Sequence, residues 1–180
     1  VTVPVDLVRD LELALDGPLD LMTMSALLDL VSAAWLERLA VEAAARRLPV
    51  YAALTYDGRI AFEPSDAYDA RIVAAVNAHQ RRDKGFGPAL GPTAARTAIE
   101  QFERVSYAVQ SGTSDWLLAP EHGAIQVEML GGFAAVAGEM DLPSVEVDAW
   151  LTRRGNLVAA GGSSLRVGHV DLFAQPTGTR

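Results

Sequence analysis

A chain of 180 residues, half of them hydrophobic, can bury a core of single-domain size, which excludes global disorder. A formal charge of -8 with few adjacent basic pairs excludes a broad nucleic-acid footprint, and no apolar run reaches the ~20 residues that a membrane helix needs. The absence of cysteine excludes disulfides and thiolate metal sites; with no secretory pattern at the start, the expected location is the cytoplasm.

Residues 1–5, VTVPV, predict a short edge strand, and 6–15 a helix stopped by Asp16-Gly17-Pro18. LDLMTM, 19–24, predicts a buried strand. Residues 25–47 predict a long helix with Leu28, Val31, Trp35 and Leu39 on its apolar stripe and Arg46 and Arg47 in its last turn. LPVYAALTY, 48–56, predicts a strand that turns at Asp57-Gly58-Arg59 into a short IAFEP. A helix capped by Ser65 or Asp66 runs to Gln80, burying Ile72, Val73 and Val76. HQRRDKGFGPALGP, 79–92, predicts a loop, and from Thr93 an amphipathic helix carries Ala95, Ala98, Ile99, Phe102 and Val105. A strand over 107–119 bends at Gly112. Helices near 121–138 and 144–160 lead to a last strand, LRVGHVDLFAQP. This alternation predicts one α/β domain over 1–180, with a mostly parallel sheet covered by helices on both faces and right-handed connections.

In such a sheet ligands bind outside the carboxyl ends of the strands, which singles out Asp6, the segment from Met24 to Asp29, Asp57 to Arg59, and the 79–92 loop. Asp6 and Ser25 suit either a helix cap or a ligand contact. Asp29 suits either an acid stabilised by a helix dipole or a base facing a substrate. In the loop, His79 can titrate near neutrality, while Arg81, Arg82 and Lys84, the only lysine of the chain, can grip an anion that the glycine amides also approach. A solvated surface loop is the plainer reading. The glycines follow the lysine and no hydroxyl comes next, so the stretch is not a triphosphate-binding P-loop. His169 and Asp171 share one face of a strand, where the acid can orient the imidazole. Histidines at 79, 122 and 169 have no zinc-site spacing, and no G-x-S-x-G elbow occurs.

In order along the chain, PLDLMTMSALLDLVSAAWLERL resembles the fourth strand and following helix of class I S-adenosylmethionine-dependent methyltransferases. RLPVYAALTYDGRI resembles their fifth strand, FERVSYAVQSGTSDWLL the stretch through the sixth, and LRVGHVDLFAQP the closing antiparallel strand. With HQRRDKGFGPALGP and SDW, the chain resembles a little-characterised bacterial branch of that superfamily. The resemblance implies a Rossmann-like, seven-stranded sheet of which this chain holds the later part. It implies that Asp6 meets the adenine of S-adenosylmethionine and that Met24 and Ser25 lie beside its methionine portion. His79 and Asp29 are the implied candidate bases, and Arg81, Arg82, Lys84, Asp115 and Trp116 stand on the side of a small, anionic methyl acceptor. No GxGxG unit occurs here, so the Gly-rich cofactor loop and first strands are expected before residue 1. A chain lacking them is expected to expose a sheet edge open to a second copy and to be inactive alone. The alternatives are a non-catalytic anion- or nucleotide-binding module and an interaction protein.

Overall fold

The structure is a computed structural model that describes residues 2–178. The chain falls into two compact units, the first from 2–57, 81–114 and 170–178 and the second from 58–80 and 115–169. Both are built of strands and helices, so the protein is α/β. No helix among the described residues is long and apolar enough to cross a membrane.

The first unit contains α1 (Leu11–Ala14), β1 (Met22–Ser25), α2 (Ala33–Arg46), α4 (Ala94–Arg104) and β3 (Tyr107–Thr113). It shares two long strands with the second unit: the start of β2 (Val50–Glu63) and the end of β5 (Ser164–Pro176). The strand order is β1-β2-β5-β3. β1 runs parallel to β2, from Met22 opposite Val50 to Ser25 opposite Ala53. β3 is antiparallel to β5, from Tyr107 opposite Pro176 to Thr113 opposite Val170. The sheet is therefore mixed, not mostly parallel as expected. The closing strand lies between β2 and β3, antiparallel to β3, while β1 and β2 are parallel. Leu36, Leu39, Val31 and Leu172 form one buried cluster of this unit, and Phe102, Tyr107 and Ala174 a neighbouring one.

The predicted strand at the start is not formed, since residues 2–5 pair with nothing among the described residues and Val3 is exposed. β-branched residues favour a strand only where a neighbour receives their main-chain bonds. Val1 lies outside the described residues. The predicted helix over 6–15 shrinks to α1 because the Arg38 guanidinium takes the carbonyls of Val8 (2.9 Å) and Arg9 (3.0 Å), which a longer helix would need for itself. Trp35 Nε1 donates to Leu7 O at 2.7 Å, so this segment is tied down onto α2.

The predicted 25–47 helix begins late, at Ala33. Ser32, not Ser25, is its cap, with Oγ accepting from Trp35 N at 3.2 Å. Residues 26–31 form a turn instead, entered at Ala26 with φ 50°. The predicted reversal at Asp57-Gly58-Arg59 is absent as well, because β2 is one strand of 14 residues. Positive φ at Leu54 (54°) and Gly58 (90°) bends it without turning it back.

The second unit contains the end of β2, α3 (Asp69–His79), β4 (Trp116–Leu118), α5 (Gly123–Glu139), α6 (Ser144–Ala159) and the start of β5. α3 begins beyond both predicted caps, after Asp66 has spent its Oδ1 on Tyr68 N at 2.8 Å. Ser114 and Asp115 interrupt the predicted 107–119 strand, leaving β4 to pair antiparallel with β5, Trp116 opposite Val167. The core holds a fully buried Arg154. Its guanidinium donates to Pro64 O at 2.6 Å, pairs with the Asp69 carboxylate through Nη2, and lies 4.6 Å from the Phe62 ring centroid. Trp150 Nε1 donates to the same carboxylate at 2.9 Å. A charge this deep survives only when paired and hydrogen-bonded, as here.

Candidate functional site

In the first unit the strand ends carry the candidate residues. Asp6 is exposed, and its Oδ1 accepts from Val8 N (2.9 Å) and Arg9 N (3.3 Å), so it organises a turn and not the first turn of a helix. Met24 packs against the buried clusters, and Ser25 is the exposed last residue of β1. Asp29 does not sit on a helix dipole: it lies in the turn ahead of the Ser32 cap and is buried. Tyr56, on β2, is buried too. Burial pushes its hydroxyl far above the usual tyrosine range, and the carboxylates of Asp57 and Asp29 push in the same direction. Asp29 and Asp57 are therefore both near enough to the Tyr56 hydroxyl for their charges to act on it.

The basic loop is docked on the Asp29 turn. Gly91 N donates to Asp29 O at 2.9 Å and Leu90 N to Val31 O at 2.8 Å, while Phe86 meets Trp35 edge-on with centroids 5.4 Å apart. Inside the loop Asp83 Oδ1 accepts from both Gly85 N (2.7 Å) and Gly87 N (3.0 Å). Those amides are spent on the loop's own carboxylate, contrary to the expectation that they would face an anion. Lys84 is half-buried, and Arg81 and Arg82 are exposed.

Sequence reasoning did not single out Tyr56, and assigned Asp171 to a pairing with His169. Asp171 receives Tyr51 OH (2.7 Å), Ser114 Oγ and Leu54 N (2.8 Å). The last bond clamps the left-handed kink of β2, a costly conformation for leucine that needs such support. The Tyr51 hydroxyl, which donates to the same carboxylate, is pushed up from its usual value by that bond and by the Asp171 charge. The signal available in sequence was an acid inside an apolar closing strand.

His79, Asp115, Trp116 and His169 belong to the second unit, so His79 is not in the unit that holds Asp29 and the basic loop. His79 ends α3 with Nε2 3.1 Å from Glu139 Oε2. Asp115 takes the Arg59 fork (2.7 and 3.2 Å) and His169 N (3.3 Å), with Arg166 at 3.6 Å. Burial alone would raise the Asp115 carboxyl, but the Arg59 bonds, the His169 amide and the two guanidinium charges hold it below the usual range. Trp116 tilts over the His169 ring at 5.1 Å, and His169 Nδ1 is 3.1 Å from Val167 O. Arg59 and Arg166, missed in sequence because single arginines in an arginine-rich chain stand out little, are what make Asp115 a charged cluster.

No protein-family model matches the chain, and a search of curated proteins finds no match.

Proposed function

We propose that this chain is the later part of an S-adenosylmethionine-dependent methyltransferase domain, Rossmann-like in its first unit, that acts on a small acceptor carrying an anionic group. The observation that carries the reading is the buried Asp29 in the turn between a parallel strand and its following helix, beside Tyr56 and beneath the docked basic loop. A closing strand antiparallel to β3 and β4, in keeping with the antiparallel last strand that the resemblance implies, supports it further.

The residues suited to the cofactor are those around β1. Asp6 is exposed and offers carboxylate lone pairs to a nucleoside amine, Met24 offers a half-buried apolar flank, and Ser25 an exposed hydroxyl at the strand end. Bound there, the sulfonium supplies an already activated methyl group. The protein's tasks are orientation and proton removal. In this reading Asp29 takes the acceptor's proton within the first unit, and Tyr56, whose burial keeps its hydroxyl protonated, supplies a donor for the acceptor. Lys84, with Arg81 and Arg82, provides the cations for the acceptor's anionic group. His79, in the second unit, is the other candidate base, and Glu139, 3.1 Å from its Nε2, orients the ring.

The alternative of an anion-binding module draws little support from the loop, because Gly85 and Gly87 turn their amides to Asp83. The test is methyl transfer from labelled S-adenosylmethionine to small carboxylates by the protein that carries this chain. With activity in hand, Asp29→Asn lowers kcat at unchanged KM, and Lys84→Ala raises KM. A Lys84→Ala protein with unchanged KM removes Lys84 from the site.

A further inference from the structure

In the second unit the strand segments around Phe62, Leu118 and Arg166 present one buried and one exposed face. Phe62, Leu118, Leu165 and Val167 are buried, while Ala61, Glu63, Leu117 and Arg166, their neighbours along the same strands, are exposed. The outward face forms a cleft of about 350 Å³ whose lining includes Ala61, Glu63, Leu117, Ser164 and Arg166. That is at the lower end of the range for small-molecule sites. Leu117 and Arg166 are direct cross-strand partners, so an apolar side chain and a cation stand side by side.

The charges around it are unevenly committed. Arg59 holds Asp115 with two hydrogen bonds and balances its charge. Arg166 approaches the same carboxylate at 3.6 Å, beyond hydrogen-bond length, and its side chain keeps 55% of its surface exposed. A guanidinium with fork geometry unspent thus faces an apolar cleft that also carries Glu63 and the Ser164 hydroxyl. One cation, one anion and an aliphatic floor are the complement of a small zwitterion with an aliphatic body.

We propose that this cleft binds a free aliphatic α-amino acid. Its carboxylate pairs with Arg166, its ammonium faces Glu63, and its side chain lies on Leu117 and Ala61. The site is built from residues of the second unit that the methyl-transfer reading does not use, so either reading can fail without the other.

The test is a ¹⁵N-HSQC titration of the protein with L-leucine, 4-methylpentanoate and 3-methylbutylamine, following the amides of Leu117, Ser164 and Arg166. Leucine is expected to saturate these shifts at lower concentration than either analogue. Arg166→Gln is expected to weaken leucine at least about tenfold, the scale of a lost charge-assisted pair. Glu63→Gln is expected to weaken leucine and 3-methylbutylamine but not 4-methylpentanoate. Both substitutions lie on the exposed face, and unchanged spectra elsewhere confirm folding. The proposal is overturned if leucine binds no better than its analogues, if Arg166→Gln leaves its affinity unchanged, or if these amides shift only with protein concentration. The last outcome would make the face a contact between copies of the chain.

Discussion

The basic residues of the 81–92 loop and the arginines of the second unit are held in place by different means. In the loop, Arg81, Arg82 and Lys84 are near neighbours in sequence, and the loop's shape comes from Asp83, from the Phe86 contact with Trp35, and from main-chain bonds to the Asp29 turn. In the second unit, Arg59, Arg153 and Arg154 come from two separate segments and are held by Asp115, Asp66 and Asp69 by way of the fold. The difference teaches that a run of charge along the sequence marks a surface, while a charge with structural weight shows only once the topology brings its partner. Arg154 and Asp69 stand 85 positions apart.

The largest expected effect comes from breaking the buried pair. Arg154→Ala leaves the Asp69 charge uncompensated in the core and is expected to cost about 3–5 kcal/mol, read by urea denaturation. Replacing both partners together with apolar residues is expected to recover part of that loss, because the desolvated charges go with them.

Changes in the loop should weigh less. Gly87 has φ 85°, and a Cβ there meets Ser32 Cβ at an ordinary 3.6 Å. Gly87→Ala therefore suffers from backbone strain and not from crowding, at about 1–2 kcal/mol. Asp83→Ala frees two glycine amides and is expected to cost about 1 kcal/mol, the scale of a lost cap, with a change in Trp35 fluorescence as Phe86 loosens. Arg81→Ala, on the exposed part of the run, is expected to stay within about 0.5 kcal/mol in the same denaturation experiment.

Acid sharpens the comparison from the other side. The Arg153 fork holds the Asp66 carboxyl down, against burial, at about 2. A carboxyl lowered on folding adds stability that is fully present above its unfolded value of ~3.9 and is lost as pH falls toward the folded one. Thermal unfolding followed from pH 5 to 2 is expected to show a steeper loss for the native protein than for Asp66→Asn. Equal slopes would mean that the Arg153 pair contributes nothing to the pH dependence.

Much of the fold was legible because it rests on periodicity. α4 falls where its apolar spacing puts it, α5, α6 and β5 lie close to their expected bounds, and β1 follows from its apolar run. The misplaced boundaries share a physical origin in competition between local signals. Ser25 and Ser32 are both good caps, and the buried packing of Leu28 and Val31 in the turn selects the later one. Asp57-Gly58 is a strong turn signal, yet β2 stays extended through it beside β5. At the site, Asp29 could be named from its flanking leucines, but its turn and its neighbour Tyr56 could not, since they depend on where β2 kinks. That kink is set by Asp171, more than a hundred residues away.

The most direct test of the central reading is calorimetric titration of S-adenosylhomocysteine into the protein encoded by the open reading frame that contains these 180 residues. The account predicts saturable binding to a single site, weakened when Asp6 is changed to alanine and retained in Arg166→Gln. No heat of binding in a folded protein, or binding indifferent to Asp6, would contradict the assignment of the first unit to a methyltransferase.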